Sequence, residues 1–531
     1  LTASGSRASI LSRQVSTAIG LLVLCLCALA LAGCSRQQAQ PQAPPDDVLI
    51  RLSDDEVKSL DPQKVSDLTS LRVAMDQFEG LTRYRGDGTV EPGLAAGWSH
   101  DPQGLIWRFV LRRGLRFSDG APITAETFVA VLERLRRGVT ASPTAGLFDV
   151  IESMDAPESH VLTLKLRHPF PALTELLAHP AIAALPMHRI AEAGDRWTED
   201  RPLVTSGPYR LQSWALHDRI LLERNPNWHD APAPIPAIEW KPAGDKQSAF
   251  RQFRAGQAHI VSDFPSERLD WLNRRMPGAA QISAYRGSYY FVFNTRRPPF
   301  DDRRVRLALN LAVEREAITD RLLAVGNPPA WGVVPAGLSR QGGHRPDWSF
   351  WPRQKRLSEA RRLLGEAGYG ADRPLRFEIR FNSDSDHRRV ALALLDNWRD
   401  LPVEVRLLNT EATLHFASLR NGDFELARSG WIGDLSAPEN FLSIYRGDSP
   451  LNYPGYRGAA FERLLEQALA ISDPRQRDAA MAQAEAALME DAPVLPVHYY
   501  VTKNLVGPRV TGWRNNLANV HPSRTLGLKG S

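Results

Sequence analysis

With 531 residues, 43% hydrophobic and 24% charged, the chain has the material for a folded body of several domains, which excludes a disordered or collagen-like class. The formal charge is +5, with 57 arginines against 8 lysines, but acids are interleaved with bases, as in FDDRRVRLALNLAVERE, which excludes the concentrated basic stripe of a nucleic-acid reader. The three cysteines, Cys25, Cys27 and Cys34, all lie near the start, so the body carries neither a disulfide framework nor a thiolate metal site.

The first segment reads as an address. Arg7 and Arg13 precede AIGLLVLCLCALALAGC, an apolar run from Ala18 to Cys34. That run is short for a membrane span of about 20 residues and suits a secretory signal. It ends in LAGC, which resembles the lipobox of bacterial lipoproteins, where the cysteine is acylated and becomes the new N-terminus. The expectation is a signal peptide over 1–33, lipidation at Cys34, and a polar, proline-rich disordered tether over 34–47.

The body follows in alternating strands and helices. LIWRFVLRRGLRF (105–117) alternates around Trp107, Phe109 and Leu111, which predicts a half-buried strand. Asp119-Gly120 marks a turn, and Thr124 is placed to cap the helix after it. HVLTLKLRH is a second alternating strand, and the segments 204–214 and 219–232 predict a hairpin. AIEWKPAGDKQSAFRQFRAGQAHIV reads strand, helix, strand. SYYFVFNTRRPPFDDRRVRLALNLAVEREAITDRLL reads strand, loop and one long helix capped by Asp301 or Asp302, with Val305, Ala308, Leu309 and Ala312 as its apolar stripe. SEARRLLGEAGYG predicts a helix capped by Ser358 and stopped at Gly368. Then come an alternating strand, PLRFEIRFNSDSD, and near the end two helices, with Pro474 at the start of the second, and a last strand. The class is mixed α/β.

Chemistry is sparse. There is no Walker or Rossmann glycine pattern and no G-x-S-x-G elbow. The 13 histidines include no H-E-x-x-H. NSDSDH (382–387) opens like a calcium loop but has His387 where the loop glycine belongs and Ala393 where the bidentate glutamate belongs. No enzyme activity, metal or cofactor is expected.

One stretch stands out: ARSGWIGD (427–434), where Arg428 and Asp434 flank small and apolar residues. It belongs to a series of blocks running in order: LAAGWSHDPQGLIWRFVLRRGLRFSDGAPITAETF, TSGPYRLQSW, ERNPNWHD, FVFNTRRPPFDDRRVRLALNLAVERE, ARSGWIGDLSAPENFLS and PVLPVHYYV. Together they resemble the extracytoplasmic solute-binding proteins of peptide-type ABC importers (family 5), and most of all their oligopeptide-binding branch. The first block is similar to one in which a tryptophan-ended helix leads to a strand and an S-D-G turn.

The resemblance implies a three-lobed periplasmic binding protein fold, type II, of the large cluster C class, with a hinged ligand cleft. Lobe I is expected over 48–78, 204–290 and 498–531, lobe II over 79–203 and lobe III over 291–497. It also implies a monomeric, lipid-anchored, extracytoplasmic binder that delivers peptides to ABC permease subunits, with no nucleic acid as partner. The alternatives are the same fold holding a murein peptide, a metal chelate, haem or an oligosaccharide, or a surface lipoprotein that signals without transport.

Carried over residue by residue, Asp434 stands at the position that binds the ligand ammonium. Arg428 matches an arginine serving the carboxylate of a short peptide. Gly430, Trp431 and Ile432 match the segment pairing with ligand backbone, and His387 matches a pocket histidine. Ser66 and Leu68 fall on the facing strand of lobe I, and His179 lies near the cleft. Ile432 replaces a cysteine, Ser66 replaces an acid, and Thr144 and Ala412 replace aromatics, so length and side-chain preference stay open. The residues themselves leave three plainer readings standing: an Arg428–Asp434 ion pair, Trp431 as core, and His387 as an exposed polar residue.

Overall fold

The computed structural model describes residues 47–199 and 202–530, so the signal, lipidation and most of the tether expected before Val48 lie outside the described residues. The body opens with strand β1 (Val48–Ser53), buried along most of its length. Helix α1 (Leu68–Gln77) follows, capped by Asp67, whose carboxylate accepts the Ser70 N–H at 2.8 Å. A short hairpin, β2 (Thr82–Tyr84) and β3 (Val90–Pro92), leads into a four-stranded antiparallel sheet in the order β4-β5-β7-β6. Its strands are β4 (Ala95–His100), β5 (Ile106–Leu111), β6 (Ile151–Glu158) and β7 (Val161–Leu166). β5 buries Trp107, Phe109 and Leu111 and turns Ile106 and Arg108 outward, the period of two that its sequence predicts. Helix α2 (Ala125–Arg136) packs on this sheet with Thr124 at its N-cap.

Ten strands form one large sheet, and a short pair, Val510–Thr511 with Gly527–Leu528, stands apart from it. The ten are β8 (Tyr209–Ala215), β9 (Arg219–Arg224), β10 (Ala237–Pro242), β11 (Ile260–Val261), β12 (Ala280–Phe293), β13 (Leu375–Asn382), β14 (Val403–Thr410), β15 (Leu426–Ile432) and β16 (Val494–Val506), with β1. Their order is β14-β13-β15-β12-β16-β11-β1-β10-β9-β8. β8 and β9 are the expected hairpin. β1 lies parallel between β10 and β11. β12 and β16 are the long members, at 14 and 13 residues, and they pair antiparallel in the middle. Their register slips between Ala284 and Ser288 and again between Tyr289 and Tyr290. Where β12 passes β15, alternation splits it: Tyr289, Phe291 and Phe293 join one core, Tyr290 and Val292 the other.

Helices cover both faces. The longer ones are α3 (Lys246–Arg254), α4 (Arg303–Leu311), α5 (Arg353–Glu366), α6 (Ser385–Trp398), α7 (Ala412–Asn421), α8 (Ala459–Ala470) and α9 (Pro474–Asp491).

Several expectations need correction. Residues 95–100 are strand β4, not a tryptophan-ended helix, because they pair with β5. The long helix stops at Leu311 and resumes as a π-helical turn, Ala317–Leu323. The cause is Arg315, fully buried, whose guanidinium donates to the carbonyls of Ala330 and Pro496 at 2.8 Å each and takes the Asn310 carbonyl at 3.2 Å. Of the two candidate caps, Asp302 makes the bond, accepting from the Arg304 N–H. α5 begins at Arg353, five residues before Ser358, since Pro352 supplies its N-cap geometry and buried Arg356 ties its first turn to the carbonyls of Leu311 and Val313. It does stop ahead of Gly368, which takes φ +86°. The facing strand expected for Ser66 and Leu68 is a loop and the first residue of α1, because Asp67 caps a helix there.

Candidate ligand-binding site

β15 carries ARSGWI, and its two edges differ. Along β12 it pairs without a break from Leu426 to Ile432. Along β13 it pairs only at Leu426 and Ala427. From Arg428 onward that edge has no strand beside it, and beyond the Arg428 carbonyl it is open. The Gly433 N–H donates to the Arg286 carbonyl of β12, and the Arg428 carbonyl on the opposite side accepts from His415 Nε2 at 2.8 Å. The alternation of an antiparallel ladder therefore aims the backbone groups of Gly430 and Ile432 into the open edge. An edge of this kind accepts an added extended chain.

Above that edge lies an aromatic and cationic layer. Arg428 Nη2 donates to Tyr500 Oη at 2.6 Å and Nη1 to Asn382 Oδ1 at 3.3 Å, with the guanidinium 5.0 Å over the Tyr289 ring. Tyr289 stacks on His498 at 4.6 Å. Glycine at 430 makes room for this layer: a Cβ there would sit 2.9 Å from Tyr500 Oη and 3.0 Å from the Ser288 carbonyl. Gly287 does the same beside the ring, at 2.8 Å. The close approach that glycine permits is, in this conformation, by Tyr500.

Asp434 lies just past the strand, half-buried. Its N–H donates to Asn440 Oδ1 at 2.9 Å, and the same oxygen accepts from Trp431 Nε1 at 3.3 Å. Burial pushes the Asp434 carboxyl up to about 6, against the pull of Arg286. Among the described residues no ion pair neutralises it. Arg286 is engaged elsewhere, with Glu175 and, at 3.0 Å, Ser436 Oγ. Glu175 in turn accepts from the Ser436 N–H at 2.8 Å and from Tyr84 Oη at 3.1 Å. The Arg428–Asp434 ion pair that the sequence leaves open is not formed.

A cavity of about 160 Å³ opens beside this layer. One wall is Asp54, Leu68 and Arg72; the facing wall includes His387, Ile432 and Tyr500. Between them runs a charge network. Lys246 reaches Asp263 at 3.0 Å and Asp384 at 2.9 Å. Lys503 reaches Asp263 at 3.2 Å and Asp386 at 3.4 Å, and Ser266 donates to Asp386 at 2.8 Å. Asp384 caps α6, so the network ties that N-terminus to α3 and β16.

The expected residues are thus dispersed in role. Arg428, Gly430, Trp431, Ile432 and Asp434 share one strand and its exit. Ile432, Leu68 and His387 line the cavity. His387 lies in the first turn of α6 rather than at an exposed strand end, 5.4 Å from the Tyr289 ring. Burial, with Arg428 nearby, holds its imidazole well below the usual range, so it is neutral. Trp431 packs against the opposite core, beside Phe441, leaving its backbone to the edge. Ser66 is exposed in its loop. His179 is buried against Phe148, its Nδ1 accepting the Ala181 N–H, and it does not line the cavity. Sequence reasoning passed over Tyr289, His498 and Tyr500, although the aromatic alternation in SYYFVF and PVHYYV was the signal for them.

Residues 89–453 match the profile of bacterial extracellular solute-binding proteins, family 5 Middle. The chain belongs to this family. Among solute-binding relatives, the periplasmic oligopeptide-binding protein OppA of Escherichia coli is 33% identical over 88% of this chain and 89% of its own length. Haemophilus influenzae OppA, solved in complex with RPPGFSPFR, superposes with a TM-score of 0.84 at 28% identity, covering 92% of this chain and 100% of that one. The unliganded open form of MppA, a periplasmic murein tripeptide binding protein, gives 0.72 at 29% identity, covering 92% and 98%. The family architecture is the type II periplasmic binding protein fold seen here as a mixed α/β body. No helix among the described residues is long and apolar enough to cross a membrane.

Proposed function

We propose that this protein captures short peptides in the cleft beside β15 and delivers them to the permease of an ABC importer, working outside the cytoplasm on a lipid anchor at Cys34. The observation that carries this reading is the open edge of β15 ending at an uncompensated carboxylate. Backbone pairing supplies affinity common to all peptides. Asp434 supplies a charge-assisted bond to the terminal ammonium, about twice as strong as a neutral one. Arg428, buried with only neutral partners, offers the opposite charge to a ligand carboxylate. The same-fold relatives are named as binding proteins.

The three-lobed division belongs to this proposal. What supports it is that strands from 48–53, 209–261 and the end of β16 build one half of the large sheet, β13–β15 the other, and β4–β7 a separate sheet. Titration calorimetry with trialanine and N-acetyl-trialanine tests the binding reading: the free peptide binds and the acetylated one is weaker by about 100-fold. Equal binding removes Asp434 as the anchor. A murein peptide is the second reading, favoured by the MppA likeness, and competition against trialanine decides it. Labelling with a radioactive fatty acid, lost in Cys34→Ala, tests the anchor.

A further inference from the structure

The cavity wall contains a cation that forms no hydrogen bond or ion pair with any described residue. Helix α1 presents Leu68 and Arg72, one turn apart, to the same cavity. Arg72 makes no hydrogen bond or ion pair with any described residue, and its Nη1 is buried. The other cations around the cavity are engaged: Lys246 by Asp263 and Asp384, Lys503 by Asp263 and Asp386, Arg428 by Asn382 and Tyr500. Asp54 lines the cavity too and attracts Arg72 through space, but from beyond ion-pair distance and without a hydrogen bond, so it does not fill the guanidinium's fork. A buried guanidinium nitrogen without an acceptor is a cost that the free protein carries.

We propose that Arg72 is a specificity-determining residue, selecting peptides that bring an acidic side chain across Leu68 to its guanidinium. The chemistry is specific in both parts. The planar fork of arginine matches a carboxylate with two parallel N–H···O bonds, and Leu68 offers an apolar wall to the methylene stem that carries it. Leu68 is 39% exposed in the free protein, unusual for a leucine at the start of a well-packed helix, and such a stem covers it. A lysine side chain at the same place meets like charge. This inference rests on the peptide reading above and names the ligand class of that site.

The test is titration calorimetry on the full body with trialanine and its analogues carrying Glu or Gln at each position in turn. In the wild type, one position prefers Glu over Gln by about tenfold or more. Arg72→Met collapses that ratio to near one. Arg72→Lys keeps part of it, as a point charge without the fork, and Arg72→Glu turns the preference at that position toward Lys. The ratio is taken within each protein, so a general loss of affinity or folded fraction drops out. A flat Glu-to-Gln ratio in wild type that does bind trialanine overturns this inference alone, as does a ratio that survives Arg72→Met. Failure of every free peptide to bind overturns the peptide reading and this inference together.

Discussion

At the scale of single residues, Asp434 is held in tension with its surroundings. Its carboxyl lies near 6 instead of 3.8 because burial disfavours the charge more than Arg286 restores it. The sign of the linkage follows. Between about pH 4 and 6 the folded chain binds more protons at this site than the unfolded chain, so stability from Asp434 falls as pH rises through that window. Above 6 the charge is present at a cost and ready for a cation. Asp434→Asn is expected to stabilise the free protein at pH 7.5 by about 1–2 kcal/mol after discounting for solvent, read as a higher melting temperature, while weakening binding of a free-amine peptide by about 100-fold. Wild-type affinity should also fall about tenfold between pH 7 and pH 5, and Asp434→Asn should flatten that profile; calorimetry across the range checks both. A profile that persists in the variant assigns the titration to another group. The charged ends of ARSGWIGD were legible because charge is scarce there. Their partners were not: Tyr500, Asn382 and Arg286 come from distant strands, and only the register of the sheet brings them near.

At the scale of elements, β15 shows how one strand serves core and ligand at once. Trp431 is spent on the core while the backbone beside it stays free. Gly430→Ala is expected to cost about 1–3 kcal/mol of stability, since the added methyl meets Tyr500 and the Ser288 carbonyl and the ring must move. Binding weakens with it, because the displaced ring enters the cavity; chemical denaturation and calorimetry on one preparation read both effects. A variant as stable as wild type would mean that Tyr500 rests elsewhere in solution. The alternation of β5 and β13 was legible in the sequence, but not their ends: the strands stop at Leu111 and Asn382, several residues before the patterns read as strand do. The helix after Asp302 was misread because its break is made by Arg315, whose acceptors Ala330 and Pro496 no local pattern reveals. His387 was misplaced for a related reason: Asp384 starts a helix where the polar run reads as a strand end.

At the scale of the whole molecule, the conformation lies nearer to a peptide complex than to an open relative, with TM-scores of 0.84 and 0.72. A cavity of about 160 Å³ is smaller than the roughly 300 Å³ at which ligand pockets begin, so the walls part to admit a peptide. The network of Lys246 and Lys503 with Asp263, Asp384 and Asp386 ties α3 and β16 to the start of α6 beside that cavity. Lys246→Met leaves Asp263 and Asp384 facing each other with one cation fewer. The expected outcome is a larger radius of gyration by small-angle scattering and a peptide affinity lower by about 1–3 kcal/mol, with the β15 contacts untouched. An unchanged radius would show that the network does not hold the walls together.

The two central strands carry a further consequence. β12 and β16 feed buried side chains into the core around Phe291, β16 also sends Leu505 into the core around Phe264, and the half-buried Leu269 and Ile282 pack against both. Neither half of the sheet owns its middle. A fragment cut near residue 290 would therefore lose the partner strand that completes its hydrogen bonding, and the two halves have no independent melting points to display. Heating should give one calorimetric transition whose van't Hoff and calorimetric enthalpies agree for this part of the body, so that a sheet shared by two cores unfolds there all at once.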